Sequence, residues 1–231
     1  MIIAGIQKNS LVDYPGLIAC VLFSPGCNYD CFYCHNRSLL SCHHGIINNN
    51  SVLSFLKKRA GMIDAVVFTG GEPLAQRDLT DAMAQVRALG YKVKLDTNGS
   101  NPEGVKRVLA SGLCDYFAVD YKAPAAKYAD ICGPEADASA VQETVRLLLE
   151  SGARFEVRTT VIPQLKLPDL MQMARELPEV PRWSLNRYRK PEEYKPCDEE
   201  RLSETPYLQS EIDSFAKEMM KIQPEMAPVL M

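Results

Sequence analysis

No apolar run in this chain approaches the roughly 20 residues that a membrane-crossing helix needs, so nothing in it marks a bilayer span. It also lacks an excess of either charge. Its 26 Lys and Arg stand against 29 Asp and Glu, a net charge of −3, which argues against general nucleic-acid binding and leaves room only for a local basic patch. The opening Met1-Ile2-Ile3-Ala4-Gly5-Ile6-Gln7-Lys8 lacks the basic-then-apolar order of a secretory signal. No solenoid-type repeat is present. What is plentiful is cysteine. Eight cysteines without a secretory signal read as cytosolic thiols or metal ligands and not as disulfides, so a cytoplasmic protein is expected. With 46% hydrophobic and 24% charged residues in 231, the composition is that of a soluble globular chain with enough length for one domain over 1–231.

Three of the cysteines, Cys27, Cys31 and Cys34, fall within eight residues at C-x3-C-x2-C spacing. Thiolates are soft ligands and the usual holders of iron–sulfur clusters. Three of them on a four-iron cluster leave one iron open, which suggests a cluster that does chemistry. A zinc site is the rival, but structural zinc usually joins two separated Cys or His pairs. Here the fourth ligand would be His35, strained by its place next to Cys34, or would come from Cys42-His43-His44. The other cysteines, Cys20, Cys42, Cys114, Cys132 and Cys197, are scattered without the spacing of a second cluster, and Cys20 in its apolar run reads as core.

Strand and helix patterns alternate. Strands are expected at residues 17–23, 64–69, 92–97, 116–120, 155–162 and 182–188. Helices are expected at 51–60, 78–89, 102–111, 138–151, 168–176 and 207–221, several closed by glycine. Residues 189–206, rich in charge and proline, read as a loop. About six βα repeats imply an α/β fold with a parallel sheet, and the chain is short for a complete eight-fold barrel of about 250 residues. A partial (β/α)6 TIM-like barrel is therefore expected.

Parallel α/β folds bind ligands at the carboxyl ends of their strands, and the chemically notable residues fall there. The first strand leads into the cysteine loop. The next three deliver Gly70-Gly71-Glu72-Pro73, Asp96-Thr97-Asn98-Gly99 and Asp120-Tyr121-Lys122, and the fifth carries Arg158. The two glycines allow close backbone approach to a ligand, or make only a turn. The Asp96 segment could equally be a turn with a helix cap. Asp120 and Lys122, two apart, share a strand face; they are either a surface ion pair or a pair that holds an amine and a carboxylate.

Together with Asp13-Tyr14-Pro15-Gly16 and Cys31-Phe32-Tyr33-Cys34-His35-Asn36, these segments resemble the radical S-adenosylmethionine (radical SAM) enzymes along nearly the whole chain. More narrowly they are similar to the activating enzymes of glycyl-radical proteins, those of anaerobic ribonucleoside-triphosphate reductase above all and those of pyruvate formate-lyase beside them. The resemblance implies a barrel of the radical SAM type and one [4Fe–4S] cluster on Cys27, Cys31 and Cys34, the catalytic centre. It implies SAM, and a monovalent cation as a further candidate. Tyr33 would lie near the SAM adenine with His35 beside it. Gly71, with Gly70 and Glu72, would meet the SAM amino group. Asp96 and Asp120 would sit beside SAM or the cation, Lys122 would contact its carboxylate, and Arg158 is a further candidate. Asp13 would lie near the incoming substrate loop. A reduced flavodoxin or ferredoxin would supply the electron, and the radical from SAM would take a hydrogen from a glycine Cα of the partner, an oxygen-sensitive reaction. Related activases hold SAM with a histidine near the last strand. Here that region reads Leu185-Asn186-Arg187-Tyr188-Arg189, and Asn186 or Arg189 would have to substitute. A radical SAM enzyme acting on a small molecule or peptide is the alternative, and from another class a non-catalytic iron–sulfur electron carrier, which would need a fourth cysteine.

Overall fold

The computed structural model describes residues 1–40 and 45–227. The cluster Cys42-His43-His44, weighed above as a source of zinc ligands, lies outside them. The six expected strands are all present: β2 (Ala19–Ser24), β3 (Ala65–Gly70), β4 (Lys92–Thr97), β5 (Tyr116–Asp120), β6 (Phe155–Val161) and β7 (Trp183–Arg187). They are flanked by β1 (Gly5–Ser10) and the two-residue β8 (Met226–Ala227), which the sequence pattern did not announce. The eight strands described follow chain order in one sheet. β1 pairs antiparallel with β2, whereas β2 with β3, β3 with β4, β6 with β7 and β7 with β8 are parallel.

The interior strands read as near-continuous apolar runs because a parallel sheet is covered on both faces; Ala65, Val66, Val67 and Phe68 have no exposed surface. Helices α1 (Asn49–Arg59), α2 (Leu79–Ala88), α3 (Pro102–Ser111), α4 (Tyr128–Cys132), α5 (Ala138–Glu150), α6 (Leu167–Glu176), α7 (Glu199–Leu202) and α8 (Gln209–Met219) alternate with them or follow them. Of these, α4 and α7 are short additions to the expectation, and α7 lies inside the stretch read as loop. No described helix is long and apolar enough to cross a membrane.

Two compact units divide the chain. The first gathers Met1–Asn28, Ser38–Thr97 and Glu103–Ala118; the second gathers Tyr29–Arg37, Asn98–Pro102 and Val119–Met231. The first has a core of Tyr14, Ala19, Val21, Ala65, Val67 and Tyr116. The second buries the only tryptophan, Trp183, whose indole N–H donates to Thr159 Oγ1 at 3.1 Å.

Candidate active site

In the first unit the end of β3 lies backbone to backbone against the start of the cysteine loop. Gly71 N–H donates to the Ser24 carbonyl and Glu72 N–H to the Gly26 carbonyl, each at 2.8 Å. Gly70 has φ +117°, and a Cβ there would run into the Ser24 backbone. At Gly71 a Cβ would overlap the Gly26 carbonyl oxygen and come within 3.3 Å of Cys27 N. Both glycines are thus required by the chain itself, because they seat the loop that carries Cys27.

Glu72 is buried, and its Oε1 accepts from Leu74 N–H at 3.0 Å and from Thr97 Oγ1 at 2.8 Å. It braces the β3 turn against the end of β4. Asp96, 6% exposed, forms an ion pair at 3.0 Å with Lys94, 1% exposed. Two such charges leave water at a cost that only close pairing and added hydrogen bonds offset. Lys94 Nζ also donates to the Asp13 carbonyl at 2.7 Å and lies 5.8 Å over the Tyr116 ring. Asp13 itself bonds to Ser10 Oγ, beside the exposed Leu11 and Val12. The structure therefore joins two sequence candidates, Asp13 and Asp96, through a lysine that was not singled out. The period-2 argument that paired Asp120 with Lys122 applies equally to Lys94 and Asp96 and could have found it.

In the second unit the rest of the cysteine loop is fastened from several sides. Cys34 N–H donates to the Cys31 carbonyl at 3.1 Å, and Arg37 reaches the same carbonyl at 2.8 Å while pairing with Asp30 at 3.0 Å. Asp30 N–H donates to the Cys132 carbonyl at 2.9 Å and Phe32 N–H to the Ile131 carbonyl at 3.3 Å, so the loop rests on the end of α4. Arg201 stacks 4.0 Å from the Phe32 ring centre. Cys31 is buried and Cys34 half-buried, as is Cys27 in the first unit, and none of the three is in a disulfide. A hydrogen bond with the Cys132 thiol lowers the Cys31 pKa; burial opposes this, and the Lys122 ammonium adds to it. Burial and the neighbouring Cys31 push Cys34 up. Nothing in the sequence could have singled out Cys132, because its partner lies a hundred positions away and the contact is purely tertiary.

Asp120, Lys122 and Arg158 form one cluster. Asp120 pairs with Lys122 at 3.1 Å and with the Arg158 guanidinium at 3.0 Å. Burial raises the Asp120 pKa, but Arg158 and Lys122 outweigh it and hold the carboxyl at about 2. Burial likewise pulls Lys122 down, and Asp120 more than reverses this, so the ammonium stays charged. Tyr33 is buried, with its ring edge-on to Phe32 at 5.4 Å and to Tyr188 at 6.4 Å. The His35 ring lies 6.4 Å from Tyr188, and burial lowers its pKa below the ordinary imidazole value. At the end of β7, Asn186 is half-buried and Arg189 exposed, while Tyr188 between them is 2% exposed.

These donors suit a four-iron cluster chemically: soft thiols, none of them in a disulfide, one already moved toward thiolate. Among the described residues no three Cys, His, Asp or Glu side chains gather closely enough to hold a single ion. A cubane does not ask for that, since each thiolate binds its own iron.

Comparison with known proteins adds four findings. The family model described as the radical SAM superfamily matches residues 21–177. A protein of Methanocaldococcus jannaschii, provisionally named a glycyl-radical enzyme activating enzyme, is 30% identical over 172 residues, 71% of this chain and 70% of that one. Among solved structures, Streptococcus suis SuiB bound to S-adenosylmethionine superposes at TM-score 0.66 with 13% identity, over 87% of this chain and 48% of SuiB. A domain of pyruvate-formate lyase-activating enzyme from Bacteroides vulgatus superposes at TM-score 0.52 with 17% identity, over 71% of this chain and 98% of that domain. The chain spans about half the length of SuiB. At such identities the likeness shows the fold alone, and that fold is the partial TIM-like barrel expected from the strand order.

Proposed function

The chain belongs to the radical SAM superfamily, and from that premise we propose that it is a glycyl-radical enzyme activating enzyme whose partner is an anaerobic ribonucleoside-triphosphate reductase. The family implies a [4Fe–4S] cluster and SAM. When bound, they supply reductive cleavage of SAM and a 5′-deoxyadenosyl radical able to take a hydrogen atom from a glycine Cα. The observation that carries the activase reading is the 30% identity to the M. jannaschii activating enzyme across most of both chains. The motif segments resembling activators of anaerobic reductases carry the choice of partner.

In this reading Cys27, Cys31 and Cys34 each hold one iron. The Gly70-Gly71 turn seats the loop at Cys27 and offers the Gly71 carbonyl to the SAM amino group. Lys122, kept charged by Asp120, receives the SAM carboxylate, and Arg158 fixes Asp120. Tyr33 and His35 present aromatic surface to the adenine. Asp96 is a further polar contact for SAM, and Asp13 meets the incoming glycine loop. Both acids already face protein cations, Asp96 with Lys94 and Asp120 with Lys122 and Arg158, so the proposal includes no metal cation. A flavodoxin or ferredoxin is the electron donor.

The test is anaerobic. Cluster-loaded protein is given SAM, dithionite and the candidate reductase; 5′-deoxyadenosine is assayed, and a glycyl EPR doublet is sought on the partner. A doublet that disappears with Cys31→Ala establishes the activase. SAM cleavage without a doublet for any glycyl-radical partner replaces it with a small-molecule or peptide substrate.

A further inference from the structure

We propose that Tyr188 is a SAM-binding residue, its hydroxyl donating a hydrogen bond to the adenosyl half of SAM. This rests on the radical SAM reading above and adds a residue to that site. Tyr188 follows directly on β7 and is 2% exposed. Its hydroxyl oxygen is buried and has no hydrogen-bond partner among the described residues. A buried hydroxyl left unpaired is destabilising, and native structures keep few such groups without a reason, a functional role being one.

The surroundings say which ligand. The Tyr188 ring lies 6.4 Å from Tyr33 and 6.4 Å from His35, both inside or next to the cysteine motif. His35 is also tied to the backbone of Arg189, one residue on. The end of β7 and the cysteine loop thus share one aromatic wall. Aromatic walls take planar groups, which selects the adenosyl half of SAM over its methionine half. Burial raises the Tyr188 pKa, so the phenol stays protonated and acts as a donor. Neither residue weighed from the sequence matches this position as well. Asn186 sits within the strand, paired in register with Thr160, and Arg189 is exposed.

The decisive variant is Tyr188→Phe, which keeps the ring and removes only the hydroxyl. SAM affinity is measured by equilibrium dialysis on cluster-loaded, unreduced protein, with 5′-deoxyadenosine and methionine as half-ligand probes. The thermal midpoint of cluster-free protein is recorded beside it. SAM and 5′-deoxyadenosine should each bind about fivefold more weakly, methionine should be unaffected, and the cluster-free midpoint should hold or rise, because an unpaired polar atom has gone. A tyrosine that serves packing alone gives unchanged SAM affinity in Tyr188→Phe, and that result overturns the proposal. So does a loss confined to methionine, or a fallen midpoint, which marks a hydroxyl partnered within the protein. Wild-type protein that carries its cluster yet binds no SAM would instead sink the functional reading itself, so the two failures are told apart.

Discussion

A methyl group at position 71 would meet the Gly26 carbonyl oxygen, which the Glu72 amide already engages at 2.8 Å. Neither backbone can yield without moving Cys27. Gly71→Ala should therefore cost about 1–3 kcal/mol, the usual range for forced overpacking, read as a lowered urea midpoint of cluster-free protein. Iron retention should fall with it, and an unchanged midpoint would refute the steric account. Asp120 gives a pH signature instead. Its folded pKa of about 2 lies below the ordinary 3.8, so the folded state binds its proton less readily than the unfolded chain. The stability this contributes is complete above about pH 4 and is lost as pH falls toward 2. Since the carboxyl is partly exposed, the contribution is on the order of 1 kcal/mol after screening. Asp120→Asn should lower stability at neutral pH by about that much and flatten the acid limb between pH 4 and 2. Parallel acid limbs in variant and wild type would contradict it.

At the scale of elements, the cysteine loop is held by α4, an element that the sequence pattern does not reveal. Five residues are too few for a helical period to show. β1 escaped for a different reason: in Gly5–Ser10 only Ser10 is buried and the strand pairs only with β2, so no apolar run marks it. By contrast β2 to β7 were legible within a residue or two, because burial on both faces writes apolar runs and glycine or proline punctuates the helices. The site divides in the same way. The grouping of Asp120, Lys122 and Arg158 was legible because chain order places strand ends together, and Lys94 was open to the same period-2 reading; the settings of Cys132 and Tyr188 were not legible, because they arise from contacts across the fold. Gly133, which caps α4, offers a test of the loop's support. Its φ of +103° and ψ of +156° belong to a region open essentially only to glycine, and a Cβ there would lie 3.3 Å from Asp30 N. Gly133→Ala should cost about 1–3 kcal/mol. Because Asp30 and Phe32 donate to α4 carbonyls, their amides should exchange hydrogen faster in the variant. Exchange confined to α4 itself would show that the loop is held by its arginine contacts alone.

The whole molecule should register its cofactors as stability. A ligand that binds only the folded chain stabilises it by mass action, about 2.7 kcal/mol at a hundred times its dissociation constant. In the proposed site the cysteines contribute to SAM binding only through the cluster they hold, whereas Lys122, Tyr33 and Tyr188 contribute directly. Cluster-loaded protein should therefore gain several degrees in thermal midpoint on saturation with SAM, and protein stripped of iron by a chelator should gain much less. The buried Trp183, the chain's only tryptophan, reports unfolding of the second unit without a label. That unit contains Cys31, Cys34, Lys122 and Tyr188, so its emission midpoint should follow SAM occupancy directly. Equal stabilisation of loaded and stripped protein would mean that SAM recognition rests on the side chains of the rim and owes nothing to the thiolate loop, and the assignment of Cys27, Cys31 and Cys34 to the SAM-binding cluster would then have to be withdrawn.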